Sequence, residues 1–389
     1  MTFKSLCAAS LVSLFIMNCQ RSDNQVITGA MQTELYTTAL RGLRVALVAN
    51  QTSIAGDRHL VDVLISEGID IKVIFAPEHG FRNMADAGET ISDGKDTQTG
   101  LPVISLYGNH RKPYANDLKE IDIVVFDIQD VGARFYTYIS TMHYVMESCA
   151  ENSVRFMVLD RPNPNGFYVD GNILDTAYSS FVGMHPVPVN HGMTVGEYAM
   201  MINGEGWLKG GVKCDLSVIK CKNYDHNSYY YLPVVPSPNL PNQTSVYLYP
   251  SLCFFEGTAV SCGRGTDFPF QAFGHPGLPD RGFSFTPESK PGATNPPLQG
   301  KLCYGTDLRN AIGEGIVPRP LLNLEWLTGA YRDFPDKDSF FNNYFDTLAG
   351  GPVLREQIQR GMTAEQIRAS WREDLERFEK IRAKYLLYK

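Results

Sequence analysis

The feature that most constrains this fold is a series of nearly continuous apolar runs, separated by helical patterns, between residues 42 and 160. The most apolar of these runs is "IDIVVFDIQD". A strand that is apolar at consecutive positions has both faces buried, and strands joined by helices run parallel within one sheet. The sequence therefore predicts an α/β fold with a Rossmann-like parallel sheet.

Polar side chains follow each predicted strand at its carboxyl end. They stand at 50–52, 78–80, 107–109, 127–130 and 160–163. Ligands of open parallel sheets bind beyond this edge, so we predict a cleft there. The chain has neither a GxGxxG pattern after the first strand nor a GxxxxGK[ST] pattern. Neither a dinucleotide nor another nucleotide held by a phosphate loop is therefore expected.

The chain has 389 residues, more than one hydrophobic core usually holds. After residue 185 the regular alternation of apolar strands and helices ends. Loops and short strands rich in Pro, Tyr and Gly follow, which is typical of a smaller α+β auxiliary domain. We predict a signal peptide at 1–18, a linker at 19–38, a Rossmann-like domain at 39–185 and an auxiliary domain at 186–389 that ends in a helix.

Two capping boxes predict helix starts in the second half of the chain. Thr194 with Glu197 precedes one apolar run, which gives Glu197 a structural role, and Thr363 with Gln366 begins the last helix. The apolar stripe of that last helix is predicted to dock on the core: Ile367, Trp371, Leu375 and Phe378.

The N-terminus has the pattern of an export signal. Lys4 precedes an apolar stretch from Leu6 to Met17, and Cys19 follows it. This resembles a bacterial lipoprotein signal, although Ile16 and Asn18 depart from the usual residues. We predict a lipid anchor on Cys19 and a place in the cell envelope, at the periplasmic or the outer face. A plain secretory signal is the alternative.

Charge and cysteine content limit the partners. The net charge of −7, which becomes −8 when removal of 1–18 takes away Lys4, argues against a nucleic-acid partner. The cysteines after Cys19 form no CxxC pair and have no His at zinc-finger spacing. Buried thiols are the favoured interpretation, and a disulfide between Cys214 and Cys221 stays open.

The segment "PEHG" places Glu78 and His79 directly after a buried strand. A carboxylate at such an edge can have its pKa raised by partial desolvation, as a general acid requires near neutral pH. The alternative is a plain ion pair of Glu78 with Arg82 or Arg134. A metal site is disfavoured, because adjacent side chains point apart and no HxxxH spacing is present; its ligands would be Glu78, His79, Asp86 and Glu89.

The segment "FFEGTAVSCGRGTDFPF" is the second candidate. Gly263 and Gly265 flank Arg264 and allow a close approach to a ligand, and Arg264 can clamp a carboxylate with two hydrogen bonds. A tight bulge with a surface ion pair between Glu256 and Arg264 is the alternative. Glu78 and Glu256 across one cleft would satisfy the two-carboxylate requirement of glycoside hydrolysis, but spacing alone does not single out a sugar.

Three weaker candidates each have a structural alternative. Arg134 could hold an anionic substrate group or Glu78. Asp160, in the Pro-locked turn "LDRPNP", could bind substrate or form a clasp with Arg161. His191, directly before a helix start, could contact a ligand or make a helix-entry hydrogen bond.

A family resemblance rests on motifs that run in order from about residue 40 to the end: "PEHGFR", "AGE", "TGLPVISLYG", "FDIQDVGARFYTYISTM", "LDRPNP", "HGMTVGE", "PSPNLP", "EGTAVSCGRGT" and "YLLY". Together they resemble the exo-β-N-acetylmuramidases of the NamZ family. The resemblance implies a Rossmann-like domain joined to an auxiliary domain, with the active site in the cleft between them. It also implies release of terminal N-acetylmuramic acid from non-reducing ends of peptidoglycan fragments, without metal or redox cofactor.

The resemblance assigns roles to residues of this chain. Glu78 is the expected general acid and Glu256 the second carboxylate. The expected substrate-binding residues are His79, Arg82, Arg134, Asp160, His191 and Arg264. Asp170 and Asn83 depart from the family pattern, which puts any role of position 170 in doubt. A cell-wall-binding lipoprotein without turnover is the alternative function, and retention of both glutamates favours the enzyme.

Overall fold

The computed structural model describes residues 25–82, 93–313 and 322–388. The signal peptide and anchor predicted around Cys19, and the positions Asn83, Asp86 and Glu89, lie outside these residues. No helix among the described residues is long and apolar enough to cross a membrane.

Strands and helices alternate in the first half of the chain, and helices dominate the end. The strands are β1 Arg44–Ala49, β2 Ile54–Ala55, β3 Arg58–His59, β4 Asp70–Ala76, β5 Gly94–Lys95, β6 Pro102–Ser105, β7 Ile123–Asp127, β8 Arg155–Leu159, β9 Leu216–Ile219, β10 Ala272–His275, β11 Ser284–Phe285 and β12 Cys303–Asp307. The helices are α1 Thr33–Leu40, α2 Leu60–Ser66, α3 Ala115–Leu118, α4 Tyr138–Glu151, α5 Val195–Gly204, α6 Gln243–Leu252, α7 Glu325–Asp333, α8 Phe345–Ala349, α9 Val353–Gln359, α10 Ala364–Ser370 and α11 Arg372–Arg382. Short 3₁₀ helices lie at Gly29–Met31, Thr176–Tyr178, Lys209–Gly211, Cys253–Gly257 and Lys337–Ser339.

The large sheet has seven strands in the order β5-β6-β4-β1-β7-β8-β9. All neighbours in it pair in parallel except β5 with β6. A second, antiparallel sheet has the order β10-β12-β11. The predicted fold class, a Rossmann-like parallel sheet with a smaller α+β part, is confirmed.

The apolar strands are continuous because both sheet faces are buried, as predicted. On β1, Ala46 and Val48 belong to one apolar cluster, while Val45 and Leu47 belong to another. Alternate residues of a strand point to opposite faces, so these clusters lie on the two sides of the sheet. Helices α1 and α2 contribute to the cluster of Val45, and α4 and α5 to that of Ala46.

The predicted domain boundary after residue 185 stays a prediction. The large sheet itself continues past that point, because β9 pairs with β8. The apolar cluster on the α4 side also extends without a break into the C-terminal helices. Its members there include Leu327, Phe345, Ile367 and Phe378.

Both predicted capping boxes are present, at Thr194 with Glu197 and at Thr363 with Gln366. The docking stripe is also confirmed: Ile367, Trp371 and Phe378 are buried and Leu375 packs against them. The helix bearing that stripe divides into α10 and α11 at Trp371. The described cysteines are all buried thiols, so Cys214 and Cys221 form no disulfide with each other here.

Candidate active site

A cavity of about 570 Å³ opens at the carboxyl edge of the large sheet. One side comes from segments that follow β4, β6 and β7, and it includes Glu78, Tyr107 and Thr137. Much of the remaining lining comes from residues between 249 and 264, together with Tyr344 and Thr347. Both predicted carboxylates, Glu78 and Glu256, line this one cavity.

Glu78 stands two residues past β4 and is held by a hydroxyl group. The Thr137 Oγ1 donates to Glu78 Oε2 at 3.0 Å. Tyr107 lies close to Glu78: burial first, and then the nearby Glu78 carboxylate, raise the pKa of Tyr107 to about 12. Tyr107 therefore stays protonated at neutral pH and keeps a hydroxyl donor beside Glu78.

A strained turn follows Glu78. His79 has φ +71° and Gly80 has φ +85°, both in the left-handed region, which costs a residue with a Cβ about 1 kcal/mol or more. The Gly80 amide closes the turn on the Pro77 carbonyl at 3.1 Å. The buried His79 ring meets Ser237, with Nε2 3.3 Å from Oγ. His79 thus belongs to the support of the turn that presents Glu78, and does not line the cavity.

Glu256 and Arg264 form an ion pair at the cavity wall. Glu256 lies in the 3₁₀ helix Cys253–Gly257, and its Oε1 accepts from Arg264 Nε at 2.6 Å. Their side chains are only 24% and 19% exposed. Burial alone would lower the pKa of Arg264, but the Glu256 carboxylate outweighs it and raises that pKa. The ion pair between Glu256 and Arg264, which the sequence offered as an alternative, is therefore present, and both residues line the cavity.

Arg82 and Arg134, two predicted substrate-binding residues, do not line the cavity. Arg82 pairs with Asp62 and Asp96, at 2.7 and 3.0 Å. Arg134 is fully buried and donates only to backbone carbonyls; these belong to Asn172, Val187, Leu348 and Ala349, at 2.7, 2.9, 3.2 and 2.9 Å. Neither arginine forms an ion pair with Glu78 among the described contacts. Their role in binding stays a prediction that these contacts do not support.

Asp160 and His191 also lie in the interior and away from the cavity lining. Asp160 accepts from the Thr194 hydroxyl at 2.7 Å, the Gly196 amide at 2.8 Å and the Tyr388 hydroxyl at 2.6 Å. His191 Nδ1 accepts from the Met193 amide at 3.2 Å, the helix-entry bond that the sequence offered as the alternative. Binding roles for both stay predictions.

The clasp suggested between Asp160 and Arg161 is made through the backbone: the Arg161 amide donates to Asp160 Oδ1 at 3.0 Å. The Arg161 guanidinium pairs instead with Asp127, at 2.6 Å from Nε to Oδ1. Asp170, at the position where the family pattern differs, forms an ion pair with Arg368.

Sequence reasoning missed several cavity residues: Arg111, Phe181, Tyr249 and Tyr344. It placed Tyr107 at the edge of the predicted cleft and Thr137 within a family motif, but it gave neither a role. A signal for pairing Tyr107 with Glu78 was available. Tyr107 stands two residues past β6, as Glu78 does past β4, and the last residues of these strands, Ala76 and Ser105, are paired. Equal offsets from paired strand ends bring two side chains to the same place.

Comparison with known proteins identifies the family. Residues 45–244 match the model of the N-terminal part of the exo-β-N-acetylmuramidase NamZ, and residues 247–388 match that of its C-terminal part. The chain belongs to the NamZ family. This confirms the family predicted from the motifs and, with it, the enzyme class, a glycoside hydrolase. Glu78 falls in the N-terminal part of NamZ and Glu256 in the C-terminal part.

Relatives cover nearly the whole chain. Peptidoglycan β-N-acetylmuramidase NamZ of Bacillus subtilis is 39% identical over 379 residues, 91% of this chain and 89% of that protein. Two crystal structures of DUF1343 family proteins from Bacteroides fragilis share the fold. One is 47% identical with a TM-score of 0.87, covering 94% of this chain and 99% of its own. The other is 30% identical with a TM-score of 0.80, covering 94% of this chain and 100% of its own.

Proposed function

We propose that this chain is an exo-acting glycoside hydrolase that releases terminal N-acetylmuramic acid from the non-reducing ends of peptidoglycan fragments. The observation that carries the proposal is the pair Glu78 and Glu256, which come from the two parts of NamZ and line one cavity. The NamZ relative from Bacillus subtilis, named for peptidoglycan, supports the substrate class.

In this proposal Glu78 is the general acid that protonates the glycosidic oxygen. A hydroxyl donor, from Thr137, orients its carboxyl group. A fixed orientation favours proton transfer, because the proton must lie within hydrogen-bond reach of the leaving oxygen. The Tyr107 hydroxyl nearby can follow a change in the protonation state of Glu78, because a hydroxyl both donates and accepts.

Glu256 is the second carboxylate that glycoside hydrolysis requires. Arg264 supplies it with a fixed counter-charge at 2.6 Å, and this contact holds the carboxylate in one orientation. The transition state carries positive charge on the sugar, so a negative group held opposite the acid stabilises it. The cavity of about 570 Å³ suits a chain end, since it lies in the size range of pockets that bury small ligands.

We also propose that the protein is a lipoprotein of the cell envelope, anchored through Cys19. The support is the apolar run from Leu6 to Met17 that ends just before this cysteine. An envelope location would bring the cavity close to peptidoglycan fragments.

Hydrolysis of a chromogenic N-acetylmuramide tests the activity. We expect turnover by the wild type, and loss of it in Glu256→Gln. Release of single N-acetylmuramic acid units from peptidoglycan fragments, followed by mass spectrometry, tests the exo mode. Tight binding of muropeptides with no turnover of either substrate would contradict the proposal and favour the non-catalytic cell-wall-binding protein.

A further inference from the structure

The described cavity lining contains two positively charged side chains, Arg111 and Arg264. The sequence favours Arg264 as the clamp for an anionic substrate group. Its guanidinium is already paired with Glu256, however, with Nε at 2.6 Å. A substrate carboxylate at Arg264 would have to compete with that partner and would place two negative groups side by side. The other arginine is therefore the better candidate.

Arg111 has no such partner among the described residues. Its guanidinium lies over the ring of Phe181, 4.5 Å from the centroid. Within residues 25–82, 93–313 and 322–388 it makes no ion pair and no hydrogen bond. A guanidinium that faces an aromatic ring keeps the N–H groups on its edge available as donors. Arg111 can therefore offer a ligand the two parallel hydrogen bonds that match a carboxylate.

The surroundings hold Arg111 in position. Phe181 contacts the ring of Tyr107 at 6.3 Å and is stacked on Tyr144 at 6.3 Å, which fixes the face on which Arg111 rests. The next residue, Lys112, anchors the same loop to α4 through Glu147 at 2.7 Å and Glu151 at 2.6 Å. Lys112 thus anchors the loop to α4, while the adjacent Arg111 lines the cavity.

Arg111 lies on the Glu78 side of the cavity. Arg111 and Tyr107 both contact Phe181, and Tyr107 and Glu78 each stand two residues past the paired strand ends Ser105 and Ala76. The sugar whose glycosidic oxygen receives a proton must lie next to the general acid. A carboxylate that projects from that sugar can then be directed toward Arg111.

We propose that Arg111 binds the lactyl carboxylate of the terminal muramic acid and thereby selects this sugar over its uncharged analogues. This inference rests on the proposed function. A neutral substrate leaves the guanidinium without its ionic partner, so discrimination follows from a charge-assisted contact that only one class of substrate can make. Arg111 is then the specificity residue, and Arg264 acts through Glu256.

The test compares Arg111→Met with the wild type on three chromogenic substrates: the N-acetylmuramide, its lactyl methyl ester and the N-acetylglucosaminide. Methionine keeps an unbranched apolar stem against Phe181 and removes the charge. We expect kcat/KM on the acidic substrate to fall about 10- to 100-fold, mainly through KM. The two neutral substrates should change little, so the preference for the acidic sugar should largely disappear.

Arg309→Met is the matched control. Arg309 also rests over a phenylalanine, 4.7 Å from the centroid of Phe268, and it does not line the cavity. This variant removes the same charge and the same kind of aromatic contact, so it should leave all three rates unchanged. Melting temperatures of both variants separate lost recognition from lost folding.

Equal losses on acidic and neutral substrates, or an unchanged preference in Arg111→Met, would overturn the role of Arg111 while turnover by the wild type upholds the proposed function. If the wild type hydrolyses none of the three, the proposed function fails instead. Calorimetric binding of N-acetylmuramic acid and of N-acetylglucosamine then decides on Arg111: a selective loss of affinity for the acid in Arg111→Met supports it, and no selective loss refutes it.

Discussion

Tyr107 and Glu78 lie close together at the carboxyl edge of the sheet, each two residues past the end of its strand. The ends of these strands, Ser105 and Ala76, are paired in parallel register. The backbone pairing therefore brings the Tyr107 hydroxyl group and the Glu78 carboxylate to the same part of the cavity. Glu256 and Arg264 line the same cavity.

The first prediction concerns Arg264→Lys. Lysine keeps the charge but loses the Nε donor that contacts Glu256 at 2.6 Å. The second carboxylate then loses its fixed orientation, so we expect kcat to fall about tenfold or more with little change in KM. Steady-state kinetics on the chromogenic N-acetylmuramide measure both. A raised KM at constant kcat would mean that Arg264 contacts substrate directly, as the sequence motifs suggest.

The second prediction concerns Arg134→Met. The guanidinium donates to four carbonyls and connects the segment of Asn172 and Val187 to α8. Burial lowers the pKa of Arg134 to about 10, so it remains charged at neutral pH. Removing it leaves buried carbonyls without donors, and we expect a loss of about 3 kcal/mol or more in the free energy of unfolding.

Denaturant unfolding measures this loss, with the exposed Arg377→Met as control. A normal unfolding midpoint combined with a raised KM would restore Arg134 as a substrate-binding residue.

The fold was readable from sequence because its signals are local. Continuous apolar strands, polar residues at their ends and two capping boxes each involve neighbours in the chain. The strand β9 was not assigned to the large sheet, because its pairing with β8 joins residues about 60 positions apart. Nothing in the local pattern around Leu216–Ile219 specifies that partner.

The site was readable only in part, for a different reason. Sequence patterns identify charged residues near strand ends, but they do not say which side of the backbone each one faces. Arg134 and Asp160 stand in such motifs and turn into the interior. Arg111 stands in an ordinary loop and lines the cavity. Its position depends on Phe181, 70 residues further along the chain, and no local pattern encodes that contact.

The third prediction concerns pH and Asp160. Burial, only partly offset by the hydrogen bonds from Tyr388 and Thr194, raises the pKa of Asp160 from 3.8 to about 6. Between about pH 4 and 6 the folded protein thus binds more protons at this site than the unfolded chain does. The contribution of Asp160 to the free energy of unfolding therefore falls as pH rises through this window and is constant above it.

Asp160→Asn isolates that contribution. We expect the difference in unfolding free energy between the variant and the wild type to change by about 1–3 kcal/mol from pH 4 to pH 7, in favour of the variant at the higher pH. Denaturant titrations at several pH values give this difference directly. Parallel pH profiles of the two proteins would show that Asp160 keeps its ordinary pKa.

The fourth prediction concerns Cys19→Ala. If Cys19 carries a lipid, its replacement removes the anchor and releases the protein from the membrane fraction. Cell fractionation with immunodetection measures this, and Cys7→Ala, inside the predicted signal peptide, is the control that should remain anchored. A wild type that is already found free of membranes would contradict the lipoprotein proposal.

The last prediction concerns Glu78→Gln. Glutamine preserves the shape of the side chain and an oxygen that accepts from Thr137, but it cannot donate a proton as an acid does. General acid catalysis contributes roughly 100- to 10,000-fold, and natural fragments need it because their leaving sugar is a poor leaving group. We expect a loss of that size on natural fragments. On a nitrophenyl substrate, whose leaving group is already acidic, the loss should be much smaller.

The decisive quantity is the ratio of the two losses of rate in one preparation of Glu78→Gln. Glu356→Gln, on the surface helix α9, is the control that should alter neither rate. Because both rates come from the same protein, partial misfolding lowers them together and leaves the ratio unchanged. Equal losses on the two substrates would therefore remove Glu78 from the role of acid and make Glu256, the other glutamate that lines the cavity, the first candidate for it.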